Sequence, residues 1–285
     1  LWRNWSGIQT AYPSARLAPK DESELAQMLK TAAAPIRPVG AGHSFTALAS
    51  TSGALVSLDA LSGITAWESD QAVVLAGTRL GALGPALAAK GRAMANLPDI
   101  NKQSLAGALA TATHGTGAKL QALHGDVTGL RLITPGGQVI DCDADHRPEI
   151  FQAAKVSLGA LGVIAQVRLK TIPNRRIRRR VWIEPFGDAL AKAEARWAEH
   201  RNFEFYAVPF TGLAAGISHD ETDDPAEARG ADQDTAFLDA LKGLRNLLGF
   251  STPLRKAAAR ALLAEADAPS VYAPTEGAQR SEEHT

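Results

Sequence analysis

A histidine stands inside a glycine-rich turn near the start of the chain. Residues 35–45 read PIRPVGAGHSF, so a short apolar run ends in Gly40-Ala41-Gly42 and then meets His43 and Ser44. A strand that runs into glycines brings its backbone close to a ligand, often a phosphate, because glycine has no Cβ. The stretch is therefore a candidate phosphate cradle with a histidine beside it.

Two familiar phosphate motifs do not fit this loop. The dinucleotide fingerprint needs a third glycine at position 45, which is Phe45, so a nicotinamide site of the Rossmann type is excluded. The Walker pattern fails as well, because no Gly-Lys-Ser/Thr follows the glycines. Successive backbone N–H groups over 40–44 still suit a pyrophosphate.

Two further glycine-rich stretches accompany this loop. Residues 104–118 read SLAGALATATHGTGA and residues 157–167 read SLGALGVIAQV. Their small side chains allow backbone to approach a flat or anionic ligand, and Ser104 could both cap a helix and donate to a phosphate. For residues 104–118 alone, tight helix packing explains the composition as well.

The elements that must position these loops mix helices and strands without a strict βαβ repeat, which predicts an α+β fold. The capping residues and apolar spacing predict helices over about 22–33, 80–90, 148–156, 191–200 and 237–250. Alternation and turn residues predict strands at 36–39, 55–58, 73–76 and 162–169, and two more joined by a Pro-Gly-Gly turn within 130–143.

The composition excludes several classes of partner. The chain has 285 residues, of which 45% are hydrophobic, and equal numbers of acidic and basic residues give it no formal net charge. Such a balance argues against nucleic acid as a partner. No apolar run reaches the roughly 18–20 residues of a transmembrane segment. A single cysteine, Cys142, excludes an internal disulfide. We expect a cytoplasmic location, with association to a membrane left open.

A change in composition marks a domain boundary near residue 173. Residues 174–180 read NRRIRRR, which we interpret as a solvated edge strand or linker, with an anion site as the alternative. The prediction is one domain over 1–173 and a second, partial domain over 174–279. The last six residues, RSEEHT at 280–285, can be encoded by a common sequencing adapter, so we expect the natural protein to continue past this point.

Taken together, the motifs resemble the vanillyl-alcohol-oxidase type of FAD-binding protein. Within that type they are most similar to the group of aldonolactone and alditol oxidases that includes the D-arabinono-1,4-lactone oxidases. The resemblance covers residues 2–173 and rests on WRNWSG at 2–7, PVGAGHS at 38–44, NLPDI at 96–100, LAGALATATHGTG at 105–117 and LGALGVI at 158–164. It implies two α+β subdomains that clasp FAD, followed by a partial cap domain for the substrate.

The resemblance also implies which residues hold the cofactor. By the resemblance, the residues that line the FAD pyrophosphate and the ring edge are Pro38, Val39, Gly40, Ala41, Gly42, His43 and Ser44. Those that contact the phosphates or the ribityl chain are Ser104, Gly107, Ala108, Leu109 and Ala110. Val163 and Ile164 would contact the pyrimidine end of the flavin ring. In this pattern His43 carries the flavin covalently through the 8α-methyl group. Imidazole suits that role because it is nucleophilic near pH 7, with a pKa of ~6.5. The alternative is an ordinary polar loop histidine.

The same pattern implies an oxidase of sugar lactones or polyols that uses dioxygen and releases hydrogen peroxide. Pro98 takes the position beside the flavin where dioxygen approaches, and proline there resembles the oxidases. Catalytic residues stay unassigned, because the family's His-Trp-x-Lys stretch is missing; only Glu204 and Tyr206 are candidates to approach substrate. No metal site is expected, since His114 and His124 lack a third ligand at metal spacing. Two alternatives remain: another hydroxy substrate such as a 2-hydroxy acid, and a truncated FAD-binding module without turnover.

Overall fold

The chain divides into two compact units. The computed structural model describes residues 1–208 and 211–226, together with scattered residues between 243 and 272. Unit 1 consists of Leu1–His114 and Gln121–Pro173, and unit 2 consists of Gly115–Leu120 and Asn174–Thr285.

Unit 1 combines short strands with short helices. Its strands are β1 (Trp2–Arg3), β2 (Thr10–Ala11), β3 (Ala15–Leu17), β4 (Arg37–Val39), β5 (Ala54–Ser57), β6 (Ile64–Glu68), β7 (Gln71–Leu75), β8 (Arg92–Ala93), β9 (Val127–Ile133), β10 (Val139–Asp143), β11 (Val163–Lys170) and β12 (Ile172–Pro173). Its helices are α1 (Glu22–Thr31), α2 (Leu80–Ala88), α3 (Leu105–Ala110) and α4 (Pro148–Ala154), with a 3-10 turn at Leu123–Asp126. The predicted α+β class is confirmed.

The first helix begins where the sequence predicts it. Asp21 is the N-cap of α1, and its side chain accepts a hydrogen bond of 2.8 Å from the Glu24 N–H. The Glu24 carboxylate in turn accepts from the Lys20 N–H at 2.6 Å, one residue before the position of a standard capping box. Leu25 and Leu29 are buried, so the helix packs through the face that its apolar spacing indicated.

A small parallel sheet carries the first glycine loop. Its strand order is β3-β5-β4, and the central strand β5 buries Ala54, Leu55 and Val56. Strands buried on both faces read as continuous apolar runs, which is what this segment shows. Because β4 ends at Val39, the glycines from Gly40 onward leave the edge of this sheet.

A larger antiparallel sheet carries the third glycine stretch. Its order is β10-β9-β11-β7-β6, with β11 at the centre. The predicted hairpin within 130–143 is confirmed as β9 and β10, and Gly137 has a positive φ of 73° in the turn. Val163 at the start of β11 pairs with Ile133 of β9, so the glycines that precede Val163 meet the end of this sheet.

Unit 2, over the residues that the structure describes, consists of an antiparallel sheet and the helix that follows its first strand. Its elements are β13 (Arg176–Pro185), α5 (Phe186–Glu199), β14 (Asn202–Val208), β15 (Leu213–Thr222) and β16 (Ser270–Tyr272), and the strand order is β14-β15-β13-β16.

The core of unit 2 is aromatic. Phe203 is 1% exposed and stacks on Trp182 with ring centroids 6.0 Å apart, while Trp197 meets its edge at 6.3 Å. The Arg196 guanidinium lies over the Trp182 and Phe203 rings and forms a two-pronged ion pair with Glu184, which lowers the pKa of that carboxyl. Arg196 therefore packs against the aromatic rings of the core while its charge is neutralised by Glu184.

The interpretation of the basic run as an edge strand or linker is wrong. Arg176–Pro185 forms β13, which pairs with β15 along its whole length and with β16 at residues 177–179. Arg175 and Arg178 pair with Glu221 and Asp224. The acidic residues that neutralise the run lie more than forty positions away, at the end of β15, so local sequence could not reveal them.

Two other predictions fall on residues that the structure does not describe. The helix over 237–250 lies almost wholly outside the described residues, and the tail at 280–285 lies outside them entirely. Among the residues that are described, no helix is both long and apolar enough to cross a membrane.

Replacing Phe203 with alanine is expected to destabilise unit 2 by about 3–5 kcal/mol, because it leaves a cavity beside the rings of Trp182, Trp197, His200 and Phe205. Urea unfolding followed by tryptophan fluorescence measures the change. Phe186→Ala is the matched control: Phe186 is 39% exposed and touches only the edge of this cluster through Phe205. Equal losses for the two variants would contradict an aromatic core centred on Phe203.

Candidate functional site

Unit 1 contains a cavity of about 210 Å³ where its three glycine-rich stretches converge. Residues 37–44 form one side. The other lining residues are Trp2, Thr46, Leu48, Ala49, Leu58, Asp59, Gly77, Gln103, Ser104, Ala106, Gly107, Ala110, Thr111, Leu158, Gly159, Gly162, Val163 and Ile164.

Two of these stretches touch at Gly40 and Ser104. A Cβ at position 40 would lie 2.2 Å from the Ser104 Oγ, closer than real Cβ atoms approach, and 3.2 Å from the Ser104 Cβ, which is a tight contact. Glycine is required here by close packing, since its φ is not in the left-handed region. The contact joins the loop after β4 to the start of α3.

The third stretch packs against the same loop. Gly159 has a positive φ of 76°, and a Cβ there would lie 3.1 Å from the Pro38 Cγ. Gly42 also has a positive φ, of 69°. Both positions favour glycine for backbone reasons, and both line the cavity.

The first loop presents backbone donors to the cavity. In the described part of the chain, the N–H groups of Gly40, Ala41 and Gly42 make no hydrogen bond to a protein atom. Consecutive N–H groups in such a turn form a concave site for an anion. The predicted cradle over 40–44 therefore has the donors that a pyrophosphate needs.

The first backbone N–H groups of α3 are not available to bind a phosphate, because they are already hydrogen-bonded. The N–H groups of Leu105 and Ala106 donate to the carbonyls of Thr78 and Ala76 at 2.8 and 3.0 Å. The predicted cap is confirmed, because the Ser104 Oγ accepts from the Gly107 N–H. Since that oxygen acts as an acceptor, its own hydroxyl hydrogen can be donated to a group in the cavity.

His43 lines the cavity and is half-buried. Its imidazole stacks on the indole of Trp5, with centroids 5.0 Å apart and planes 17° from parallel. The charged side chains of the lining are Arg37 and Asp59, and Asp59 is paired with Arg79. The binding surface is therefore mostly backbone and small apolar groups, with an imidazole at one end.

The cavity brings together most of the residues that the sequence singled out. All fourteen candidate cofactor residues line it except Ala108 and Leu109, which are fully buried on the other side of α3. Pro98 is buried and does not line the cavity.

Sequence reasoning missed several lining residues. Trp2, Asp59 and Gly77 come from segments without a glycine cluster. Trp2 lies in the recognised WRNWSG stretch and Gly77 stands two residues after β7, so both carried a signal, whereas Asp59 carried none. A Cβ on Gly77 would lie 1.8 Å from the Leu58 carbonyl oxygen, so this glycine lets two backbones touch beside the cavity.

The candidate substrate residues lie in unit 2. Glu204 and Tyr206 are neighbours on β14, and the Tyr206 hydroxyl donates to the Glu204 carboxylate at 2.9 Å. Phe203 and Phe205 point toward the aromatic core, so Glu204 and Tyr206 lie on the opposite face of the sheet. Over the described residues, no group of three histidine, cysteine or acidic side chains could hold a metal ion.

The sequence is similar to known flavoproteins. Residues 13–143 match a family described as an FAD binding domain. An L-gulono-1,4-lactone dehydrogenase of Mycobacterium tuberculosis is 37% identical over 219 residues, which cover 75% of this chain and 50% of the relative. A D-arabinono-1,4-lactone oxidase of Eremothecium gossypii is 29% identical over 236 residues, 80% and 44% of the two chains. This chain thus spans about half the length of these curated relatives.

The fold is similar to that of a solved oxidase. Cholesterol oxidase from Brevibacterium sterolicum superposes with a TM-score of 0.75 and 18% identity, and the match covers 96% of this chain and 60% of the other. At that identity the comparison establishes the fold alone.

The contact between Gly40 and Ser104 can be tested by a double-mutant cycle. Gly40→Ala is expected to cost about 1–3 kcal/mol, because the new methyl group pushes the loop away from α3, and to lower the flavin absorbance per mole of protein. Ser104→Ala costs about 1 kcal/mol through the lost cap. In the double variant the 2.2 Å clash is gone and the 3.2 Å contact remains.

The double variant should therefore be more stable than the sum of the single changes, by thermal or urea unfolding. Gly187→Ala is the control, since no atom lies within 4 Å of a Cβ there. Strict additivity of the two changes would refute the contact.

Proposed function

We propose that the protein binds FAD in the cavity of unit 1 and oxidises a secondary or primary alcohol of a sugar lactone or polyol; the match of residues 13–143 to a family described as an FAD binding domain supports the cofactor. The observation that carries the proposal is the convergence of three glycine-rich stretches on one cavity that contains His43. The relatives named as gulono- and arabinono-lactone enzymes support the substrate class.

The lining fits FAD in its chemistry. The N–H groups of Gly40, Ala41 and Gly42 would hold the pyrophosphate, and the Ser104 hydroxyl would add a donor. Arg37 is the lining cation that could neutralise phosphate charge. When bound, FAD supplies a ring that accepts a hydride from the CH–OH carbon of the substrate. The protein's part is to orient that ring and to keep water from it.

His43 is proposed as a covalent tether. Its imidazole nitrogen would bond to the 8α carbon of the flavin. His43 would give up its ring N–H proton and the 8α carbon would give up one proton, so the electron pair of the broken C–H bond would stay on the flavin until dioxygen takes up two electrons and two protons as hydrogen peroxide. The stacking on Trp5 supports the assignment, because it holds the imidazole within the cavity wall.

Dioxygen is proposed as the electron acceptor. The substrate would lose two electrons and two protons, and dioxygen would take them up as hydrogen peroxide. The sequence resemblance favours this choice, since proline at position 98 resembles the oxidases; Pro98 itself is buried and does not line the cavity. A dehydrogenase that uses another acceptor is the second candidate, and it is favoured by the name of the M. tuberculosis relative.

The tether predicts flavin that survives denaturation. After acid precipitation, flavin absorbance should remain in the pellet for the unaltered protein and move to the supernatant for His43→Ala. His146→Ala is the matched control, because His146 is exposed and lies in a loop away from the cavity. Flavin wholly in the supernatant of the unaltered protein would refute the bond.

The acceptor and substrate can be assigned with one panel of aldonolactones, alditols and 2-hydroxy acids. We expect peroxide, measured with a coupled peroxidase, from a lactone or polyol. Dye reduction under nitrogen without peroxide in air would favour the dehydrogenase. Peroxide only from a 2-hydroxy acid would reassign the substrate. A flavin-loaded protein that turns over none of them would favour a binding module without turnover.

The variant Pro98→Ala tests, with the same substrates, whether Pro98 governs the access of dioxygen. It is expected to lower the rate of peroxide formation about tenfold, or about 1.4 kcal/mol in the barrier, and to leave dye reduction under nitrogen unchanged. Equal losses in both assays would mean that Pro98 supports the fold and does not govern access of oxygen.

A further inference from the structure

The N-terminal residues 2–9, which we call the N-terminal clamp, hold the loop that carries His43. Three hydrogen bonds join them to the backbone around the histidine, and one of these runs from the Gln9 Nε2 to the Phe45 carbonyl at 3.3 Å. The Trp5 N–H donates to the Gly42 carbonyl at 3.0 Å, and the Asn4 Nδ2 donates to the Ser44 carbonyl at 2.9 Å. The position of His43 along the cavity wall is therefore fixed from a segment distant in sequence.

Asn4 is itself tightly anchored. It is 4% exposed, its Nδ2 also donates to the Ser6 hydroxyl at 3.0 Å, and its Oδ1 accepts from the Gln9 N–H at 3.0 Å. The Asn4 and Gln9 backbones are bonded as well, since the Asn4 N–H donates to the Gln9 carbonyl. A buried amide with both ends engaged has one orientation, so the bond to Ser44 is directional.

Trp5 adds a constraint on the imidazole itself. Its indole stacks on His43 at 17° and meets the Phe45 ring edge-on at 5.9 Å. Trp5 is 47% exposed, which is unusual for a tryptophan whose purpose is core packing. The stacking leaves the imidazole little freedom to rotate out of the indole plane, and so fixes the direction in which a ring nitrogen can approach a partner.

We propose that Asn4 and Trp5 are positioning residues that set the backbone and the ring plane of His43 for bond formation with the flavin. The inference rests on the tether proposed for His43. Bond formation needs the nitrogen and the 8α carbon in near-attack geometry, and a misplacement of about 1 Å can cost about a hundredfold in rate. Retaining FAD through the pyrophosphate needs no such alignment, because donors from other residues hold it.

The experiment measures bond formation at His43 and noncovalent binding of FAD separately. Apoprotein is prepared from riboflavin-limited cells, FAD is added, and acid-precipitable flavin is followed with time. Trp5→Leu and Asn4→Asp are compared with Tyr12→Leu, which removes an aromatic ring that is 75% exposed in the same region. Binding of FAD without the bond is measured by fluorescence quenching in a His43→Ala background, with and without each change.

We expect Trp5→Leu and Asn4→Asp to slow bond formation about tenfold or more, and the FAD dissociation constant in the His43→Ala background to change less than about twofold. Trp5→Phe, which keeps a ring, should restore most of the rate. Unchanged rates would overturn the proposal. So would a loss of FAD binding in the His43→Ala background that matches the loss of rate, since the clamp would then only support the fold.

Asn4→Asp decides the matter if Trp5→Leu does not fold, because it is nearly isosteric; it replaces the donor to Ser44 with a carboxylate oxygen and adds a negative charge. Failure of the tether itself gives a different result. The unaltered protein would then bind FAD and form no acid-stable flavin at any time, before any variant is compared.

Discussion

The contact between Gly40 and Ser104 is the constraint on which the candidate site depends. It requires a residue without a side chain at the end of a parallel strand and a small capping residue at the start of a helix. With the Gly40 backbone this close to the Ser104 side chain, Gly40, Ala41, Gly42 and Ser104 line the same cavity. A side chain at position 40 would press on the Ser104 hydroxyl, so the packing of the two loops and the proposed cradle depend on the same contact.

The sequence predicted the parts of this arrangement that depend on local chemistry. The glycine loop, the Asp21 and Ser104 caps and the hairpin at β9 and β10 follow from residue types whose backbone preferences are strong. The recognised motifs also located the cavity, since each glycine-rich stretch contributes to its lining.

What the sequence could not reveal is set by long-range partners. The first N–H groups of α3 donate hydrogen bonds to the carbonyls of Ala76 and Thr78, and the sequence around Ser104 does not predict these bonds. The basic run over 174–180 became an interior strand because acidic residues of β15 lie beside it. Ala108 and Leu109 belong to the cofactor stretch by motif, yet the turn of the helix points them into the core. In each case the decisive neighbour lies elsewhere in the chain.

The charge of the cavity bears on why a covalent tether would be useful. A pyrophosphate held mainly by backbone dipoles, with Arg37 as the lining cation and Asp59 opposing it, is held by fewer ion pairs than one gripped by several basic side chains. Retention would then depend on the fit of the glycine loops, and each local opening of the loop at 40–44 would be a route of escape. The bond proposed at His43 would remove that dependence. The hydrogen bonds from Asn4 and Trp5 act on the same segment, so one stretch of five residues would both cradle the phosphates and present the nucleophile.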